Sequence, residues 1–135
     1  MNIQSGLFWL ILTTFLEARD QPPLGQKNVV KIILNRADMR QWPLENIVFA
    51  KKQFSCYNDG LPKAFAAVAG ETKSIAPVTI NVLEAVKEWE AGDNLGGATH
   101  YFNPDLVPGG WPRSWDKKKM RVLGKTGEHI FLIEV

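Results

Sequence analysis

Hydrophobic residues near the start of the chain form one nearly unbroken run that ends at a carboxylate. The run GLFWLILTTFL (6–16) is followed directly by Glu17, and then by DQPPLG (20–25). A segment that is apolar on most of its surface predicts a largely buried helix, which we place at about residues 3–19. The two prolines of DQPPLG predict its end, because neither can lie inside a continuing helix.

Two further helices follow from the spacing of apolar positions. The first runs from about Gly25 to Ala37. Its expected core side consists of Val29, Val30, Ile32, Ile33 and Leu34. Its expected polar side consists of Lys27, Asn28, Lys31 and Asn35. The second covers APVTINVLEAVKEWEAG (76–92), with Pro77 in its first turn and Gly92 as its stop. Its expected core side consists of Ile80, Leu83, Val86 and Trp89.

The segment GDNLGGATHYFNPDLVPGGWPRSW (92–115) breaks the helical pattern. Its five glycines and three prolines exclude long regular elements, and its four aromatic residues make it too apolar for a disordered linker. Shorter helical turns are predicted at about residues 44–50 and in the alanine-rich segment 63–70. The sequence therefore predicts helices joined to a long aromatic loop.

The last segment, MRVLGKTGEHIFLIEV (120–135), predicts a β-hairpin with its turn near residues 125–128. The chain has no internal repeat, low-complexity tract or domain boundary, and 135 residues suit one compact domain. Residues 1–135 are therefore predicted to form one α+β domain that is mainly helical and has a small antiparallel β element.

Composition and charge narrow the classes of function. Hydrophobic residues make up 45% of the chain and charged residues 22%, as in soluble globular proteins. The net charge of +2 is too small to indicate nucleic-acid binding, although it mildly favours an anionic polymer such as a bacterial cell wall. The single cysteine, Cys56, excludes an intramolecular disulfide. The apolar run 6–16 is too short for a membrane span and lacks the flanks of a signal peptide, so neither membrane insertion nor an export signal is expected.

Glu17 is the first candidate for chemistry. A general acid that cleaves a glycosidic bond must be protonated near neutral pH, and partial burial between apolar walls favours that form. A glutamate that ends an apolar helix and precedes a sharp turn meets this need. The competing interpretation is an exposed glutamate beside Arg19 at a helix end.

Two other kinds of site follow from residue types alone. His100 and His129 could join carboxylates around a metal, but neither histidine belongs to a ligand-spaced pair such as HxxxH, so no metal is expected. Cys56 could act as a thiol nucleophile with one of these histidines, as in a cysteine amidase or peptidase. A lone cysteine is more often a small buried apolar residue.

The aromatic segment is compatible with carbohydrate binding. HYFNP and GGWPRSW combine aromatic faces with amide groups and an arginine, and sugar rings are recognised by stacking on aromatic faces and by hydrogen bonds. The same aromatics could instead fill a core beneath the loop. At this level the residues indicate a carbohydrate-active or peptide-binding cleft.

Several blocks in a fixed order resemble one known family. EARDQPPLGQKNVVKIILNR, QFS, GGATHYFNP and GEHIF occur here in the order seen in the SleB-type cell-wall hydrolases, the spore cortex-lytic enzymes and their phage and bacterial relatives. The family pattern is approximately E-A-R-G-E-x-x-x-G-Q, V-x-x-V-I-L-N-R, Q-F-S/T, G-A-x-x-Y-Y-N-P and a terminal G-x-H-x-F. The resemblance extends from about Leu12 to Phe131 and implies a peptidoglycan-degrading domain of the lysozyme and lytic-transglycosylase type, without a cofactor.

The resemblance also implies the site. The family's catalytic acid matches Glu17. Gly25 matches the glycine of the family's G-Q pair, and Asn35 and Arg36 match the end of the second helix. Phe102 replaces the usual second tyrosine of the aromatic block. With residues of the aromatic segment included, the expected substrate-binding residues are Gln26, Gln53, Ser55, His100, Tyr101, Asn103, Trp111 and His129.

The main departure is Gln21, which stands where the family commonly has a second glutamate. One carboxyl group suffices if Glu17 protonates the oxygen between N-acetylmuramic acid and N-acetylglucosamine and then takes the proton of the muramic C6 hydroxyl as that oxygen attacks C1. The product is then a 1,6-anhydromuramyl end. A hydrolase needs a second carboxylate, for which the candidates are Asp20, Asp59, Asp93 and Asp105. We therefore prefer a lytic transglycosylase, with a muramidase as the close alternative.

The expected partner is the glycan strand of bacterial peptidoglycan, and the expected state is a monomer. The compact form resembles a phage endolysin or virion lysin, which would stay in the host cytoplasm or on the virion until it acts on the wall. The alternatives of other classes are a Cys56-dependent amidase and a glycan-binding module that has lost catalysis.

Overall fold

The computed structural model of the chain describes residues 2–50 and 72–135, the side chains of 72–74 excepted, with a few isolated residues between them. The helices are α1 (Ile3–Ala18), α2 (Pro23–Arg40), α3 (Leu44–Val48) and α4 (Thr72–Glu90). The strands are β1 (His100–Phe102), β2 (Met120–Thr126) and β3 (His129–Glu134). The isolated residues Lys63, Ala64, Ala66 and Val68 are helical, in agreement with the prediction for 63–70. The prediction of a mainly helical α+β fold with a small antiparallel element is confirmed.

Helix α1 matches its predicted bounds to within one residue. Asn2 caps it, since its side-chain oxygen accepts a hydrogen bond from the main-chain N–H of Ser5 at 3.4 Å. Leu10 and Phe15 are fully buried in the main core. Near its start, Gly6 lets α1 approach α3 closely, because a Cβ at this position would lie 2.4 Å from Leu44.

Helix α2 lies at the centre of the fold, in contact with α1, α3, α4 and the turn at 95–97. It begins at Pro23, earlier than predicted, because a proline in the first turn lacks only an N–H that needs no helical partner. The prediction that Lys31 and Asn35 belong to a polar outer side is wrong, since both are buried. Lys31 Nζ forms ion pairs at 3.1 Å with the more exposed Glu88 and Asp93.

Helix α4 differs from its prediction at its start and in its buried face. It begins at Thr72, so Pro77 lies inside the helix rather than in its first turn. Ile80 and Leu83, which we predicted in the core, are 57% and 47% exposed. The buried stripe is displaced around the helix and consists of Val78, Val82 and Ala85, with Val86 and Trp89 packed against it.

The sheet is antiparallel with strand order β1-β3-β2. The predicted hairpin is confirmed, with Thr126 paired to His129 across a turn in which Gly127 has a φ of 58°. β1 lies inside the aromatic segment and pairs with β3 so that Tyr101 faces Phe131. Because side chains alternate along a strand, Tyr101 projects to one face of the sheet, and His100 and Phe102 project to the other.

Candidate active site

Glu17 lies in the last turn of α1, half-buried, at the edge of a small cavity of about 50 Å³. The cavity lies between the α1–α2 turn and the sheet. Its lining consists of Glu17, Ala18, Gln21, Gly25, Asn28, Tyr101, His129 and Phe131. Among these residues Glu17 carries the one carboxyl group, and Gln21 contributes an amide where the SleB-type family commonly has a second glutamate.

The sheet provides an aromatic wall opposite Glu17. The rings of Tyr101 and His129 meet edge to face with centroids 5.1 Å apart, and the ring of Phe131 lies 6.0 Å from Tyr101. Burial raises the pKa of the Tyr101 phenol, and the negative charge of Glu17 raises it further. The phenol is therefore protonated at neutral pH and can donate a hydrogen bond inside the cavity.

Gln26 holds the turn that follows Glu17. Its buried Nε2 donates hydrogen bonds to the main-chain oxygens of Ala18, at 3.2 Å, and Gln21, at 3.3 Å. Its Oε1 accepts a hydrogen bond of 2.8 Å from Asn81 Nδ2 on α4. This amide, which we expected to bind substrate, is engaged in the scaffold and fixes the end of α1.

Gly25 shapes the floor of the cavity. A Cβ at this position would lie 3.0 Å from both Cβ and Oε1 of Gln21, closer than side chains normally pack. The Gly-Gln pair of the sequence motif thus has two structural functions, since the glycine makes room for Gln21 and the glutamine ties the turn.

The Asn-Arg pair near the end of α2 fixes the segment that leads into β1. Asn35 Nδ2 donates to the main-chain oxygens of Asn94, at 2.8 Å, and Ala98, at 2.7 Å, while its Oδ1 accepts 2.7 Å from Trp89 Nε1. Arg36 Nε donates to the main-chain oxygen of Thr99. Burial lowers the pKa of Arg36 to about 10, so it is still charged at neutral pH. These bonds set the position of β1, and with it the position of Tyr101 opposite Glu17.

His100 and Trp111 lie on the other face of the sheet. His100, 4% exposed, packs edge to face on Trp115 at 4.9 Å, and Trp111 donates from Nε1 to the main-chain oxygen of Trp115 at 3.0 Å. Burial lowers the pKa of His100 to about 3, and the charges of Arg36 and Arg40 act in the same direction. The structure does not bring these two predicted binding residues to the cavity of Glu17.

The other predicted residues divide into two groups. Asn103 caps a short turn by accepting a hydrogen bond from the Asp105 N–H at 3.0 Å, and its Nδ2 donates to Glu128 at 3.4 Å. Gln53, Ser55 and Cys56 lie outside the described residues, as does Asp59.

Within the described ranges, no three His, Cys, Asp or Glu side chains converge as metal ligands. In the same part of the chain, no helix is both long and apolar enough to cross a membrane.

Sequence reasoning missed Asn28 and Phe131 as lining residues. Asn28 lies one helical turn after Gly25, and this i, i+3 spacing places both on the same face of α2. The spacing was the available signal for Asn28. Phe131 belongs to the terminal block of the resemblance, but only its register opposite Tyr101 shows that it reaches the cavity.

Comparison with known proteins gives consistent relatives. The model of the family described as Cell Wall Hydrolase matches residues 20–132. The spore cortex-lytic enzymes of Halalkalibacterium halodurans and Oceanobacillus iheyensis are 32% and 33% identical over 117 and 120 residues, which is 85% of this chain in each case. That of Bacillus subtilis is 30% identical over 117 residues. The matched parts amount to 31%, 37% and 33% of these relatives, so the chain spans about a third of their length.

A solved structure supports the same grouping. The catalytic domain of the germination-specific lytic transglycosylase SleB from Bacillus anthracis superimposes with a TM-score of 0.60 at 26% identity, over 95% of this chain and 93% of that domain. This likeness confirms the expected fold type. Together with the family model, which matches most of the chain, it shows that the chain belongs to the cell wall hydrolase family of SleB-like domains.

Proposed function

We propose that this domain cleaves the glycan strands of bacterial peptidoglycan between N-acetylmuramic acid and N-acetylglucosamine, with Glu17 as its single acid–base group. The observation that carries the proposal is the composition of the cavity, where Glu17 is the one carboxyl group among the described lining residues and shares the cavity with Gln21, Tyr101 and His129. Membership of the cell wall hydrolase family supports the choice of substrate.

The same observation favours a lytic transglycosylase. Glu17 gives its proton to the glycosidic oxygen as the bond from that oxygen to muramic C1 breaks. The muramic C6 hydroxyl oxygen then attacks C1, and its proton passes to the Glu17 carboxylate, which restores the acid. No water is consumed, and the products are a 1,6-anhydromuramyl end and a free 4-hydroxyl on N-acetylglucosamine.

Two residues at or near the cavity assist the reaction through their positions. The protonated phenol of Tyr101 can donate a hydrogen bond to a sugar oxygen or to the Glu17 carboxylate formed in the first step. Gln26 keeps the end of α1 in place while the proton moves in both directions. A muramidase reaction at the same bond would need a second carboxylate, at roughly 6.5–9.5 Å in an inverting enzyme or roughly 5–5.5 Å in a retaining one.

The test is the identity of the products. Purified protein is incubated with peptidoglycan, and soluble fragments are analysed by mass spectrometry, with Glu17→Gln as control. Anhydromuramyl ends that disappear in Glu17→Gln are the expected result. Reducing muramic ends would instead establish the muramidase, free stem peptides would indicate the Cys56 amidase, and binding without any fragment would indicate a glycan-binding module.

We propose further that the domain acts as a monomer on the wall, as a phage endolysin or virion lysin would, without binding nucleic acid or inserting into a membrane. The monomer is tested by light scattering at increasing concentration. The bacteriolytic role is tested by adding the protein to intact and to permeabilised bacteria and following turbidity.

A further inference from the structure

Asn28 has a buried side-chain oxygen that lacks a hydrogen-bond donor among the described residues. Its Oδ1 has less than 1 Å² of accessible surface, and no described residue donates a hydrogen bond to it. A buried polar atom without a partner costs free energy, so most such atoms in folded proteins are paired. In this orientation the oxygen is closed to solvent, so a donor on a ligand reaches it when the amide turns toward an adjoining cavity.

The position of Asn28 joins two cavities. It lines the small cavity of Glu17 and also a neighbouring groove of about 260 Å³ between α2 and β2, and Phe131 is shared in the same way. The terminal torsion of an asparagine side chain is broad, so its oxygen can turn toward a donor in either cavity. Asn28 is thus within reach of a ligand that extends from the catalytic cavity into the groove.

The groove is mainly apolar. Its other lining residues are Leu24, Leu95, Leu123, Gly124 and Thr126. Leu24 and Leu123 are 61% and 39% exposed, so their side chains offer methyl groups to a ligand rather than to the core. A group that suits this arrangement has an N–H donor for Asn28 and a small apolar end for the leucines.

We propose that Asn28 and the groove recognise the acetamido group of an N-acetylhexosamine adjacent to the cleaved bond. The N–H of that group donates to Asn28 Oδ1, and its methyl group packs against Leu24 and Leu123. A sugar with a free amine in place of the acetamido group keeps a donor but leaves the leucines uncovered. The inference rests on the proposed function, and it names the residue that makes the site selective for N-acetylated glycans.

An alanine residue of a peptide stem has the same chemistry, an amide N–H beside a methyl group. Binding to oligosaccharides without peptide separates the two sources. The probes are the tetramer of β-1,4-linked N-acetylglucosamine and the fully deacetylated glucosamine tetramer. Binding is measured by calorimetry on the Glu17→Gln protein, which prevents cleavage during the titration.

In this background, Asn28→Ala should raise the Kd for the acetylated tetramer about tenfold, as expected for one lost hydrogen bond in a buried site. Leu123→Ala should raise it about threefold. Leu123→Ala should alter the weaker binding of the deacetylated tetramer, which lacks the methyl group, by no more than about twofold. Asn46→Ala, at an exposed asparagine on α3, is the matched control and should leave both Kd values unchanged.

A second variant separates the acceptor from the shape of the side chain. Asn28→Leu keeps a similar volume without an acceptor and should lose affinity as Asn28→Ala does, with a Tm equal to or above the parent value. An unchanged Kd for the acetylated tetramer in either Asn28 variant, or an equal loss for both tetramers in Leu123→Ala, would overturn the inference. A requirement for peptide-bearing fragments would assign the groove to the stem and overturn it as well.

Different results would contradict the proposed function and the inference about the acetamido group. Asn28-dependent binding of the acetylated tetramer, with no glycan fragment released from peptidoglycan by the native protein, would contradict the proposed function alone. Glu17-dependent cleavage, with Kd values unaffected by Asn28→Ala, would contradict the acetamido inference alone.

Discussion

Gln26 Nε2 lies 3.2 Å from the main-chain oxygen of Ala18, the residue that follows Glu17. This bond, with its counterpart to Gln21, means that a side chain of α2 holds the end of α1 in place. The catalytic candidate is therefore positioned by a residue that need not touch the substrate.

Replacing this side chain should affect stability and activity together. Gln26→Leu removes the donor for Ala18 and Gln21 and the acceptor for Asn81. We expect the free energy of unfolding to fall by about 2 kcal/mol. Glycan cleavage should fall by about 10- to 100-fold, because small displacements of an acid are costly. Urea denaturation and initial rates measure both. Gln4→Leu, at an exposed position of α1, is the control, and equal rates in both variants would contradict a positioning role for Gln26.

Removing the acid should abolish the reaction without unfolding the protein. Glu17→Gln keeps the size of the side chain but cannot deliver and regain a proton, so we expect kcat to fall by at least about 100-fold. The measurement is the rate of release of soluble glycan fragments, with Tm as a check on folding. Residual activity within about threefold of the native rate would exclude Glu17 as the acid.

Gln21→Glu tests why the second acid is absent. A carboxylate at this position would join Glu17 in the same cavity and could serve as the base that a hydrolase needs. We expect the fraction of reducing muramic ends to rise relative to anhydromuramyl ends, as measured by mass spectrometry. Asp20→Glu, which changes an exposed neighbour that does not line the cavity, is the matched control. An unchanged product ratio would show that the geometry around Glu17, rather than the count of carboxylates, selects the reaction.

His100 should make the fold sensitive to mild acid. Its pKa is about 3 in the folded protein, because of burial and then the charges of Arg36 and Arg40, and about 6.5 in an unfolded chain. As the pH falls below about 6.5 the unfolded state binds a proton that the folded state does not. The contribution of His100 to the free energy of unfolding is therefore fully present above about pH 6.5. Below that pH the free energy of unfolding declines by about 1.4 kcal/mol per pH unit toward pH 3.

The variant for this prediction is His100→Phe, which keeps an aromatic ring against Trp115. Urea unfolding at intervals from pH 7 to pH 5 should show a slope in the native protein that is reduced in the variant. Parallel slopes would mean that His100 is not the group responsible.

Gly6→Ala tests the close approach of α1 and α3. The new methyl group would lie within 3 Å of three atoms of the buried Leu44, so one helix must move. We expect a loss of about 1–3 kcal/mol in unfolding free energy. Gly124→Ala, where a Cβ meets no atom within 4 Å, is the control and should change stability by less than about 1 kcal/mol.

Much of the fold can be predicted from local sequence patterns, because a short stretch of sequence is enough to indicate a helix or a hairpin. The bounds of α1 and the hairpin turn were predictable for this reason. The burial of Lys31 was not, since it depends on how many elements surround α2. The prediction of which face of α4 is buried was wrong for a related reason. Both Val78–Val82–Ala85 and the stripe through Ile80 and Leu83 have helical spacing, and only the packing partner distinguishes them.

The residues of the candidate site also divide into those that local sequence patterns predict and those that they do not. Glu17 could be proposed because its position after an apolar helix and before two prolines is a local signal, strengthened by the resemblance. Asn28 acquires its surroundings from β3, far along the chain, and no local pattern marks an acceptor without a donor among the described residues. His100 and Tyr101 are adjacent in sequence, yet strand alternation sends them to opposite faces of the sheet.

Helix α2 carries an anchor near each end, Gln26 for the acid and Asn35 for the strand that faces it. At about 1.5 Å of rise per residue, these two anchors are about 13.5 Å apart along the helix axis. The length of helix between the two anchors therefore sets the distance between the acid and the strand across the cavity. Substitutions can weaken either anchor, but inserting or deleting one residue between them would shift one anchor by about 1.5 Å and rotate it by about 100°. The stretch from Gln26 to Asn35 must accordingly keep its length for the acid and the strand to meet.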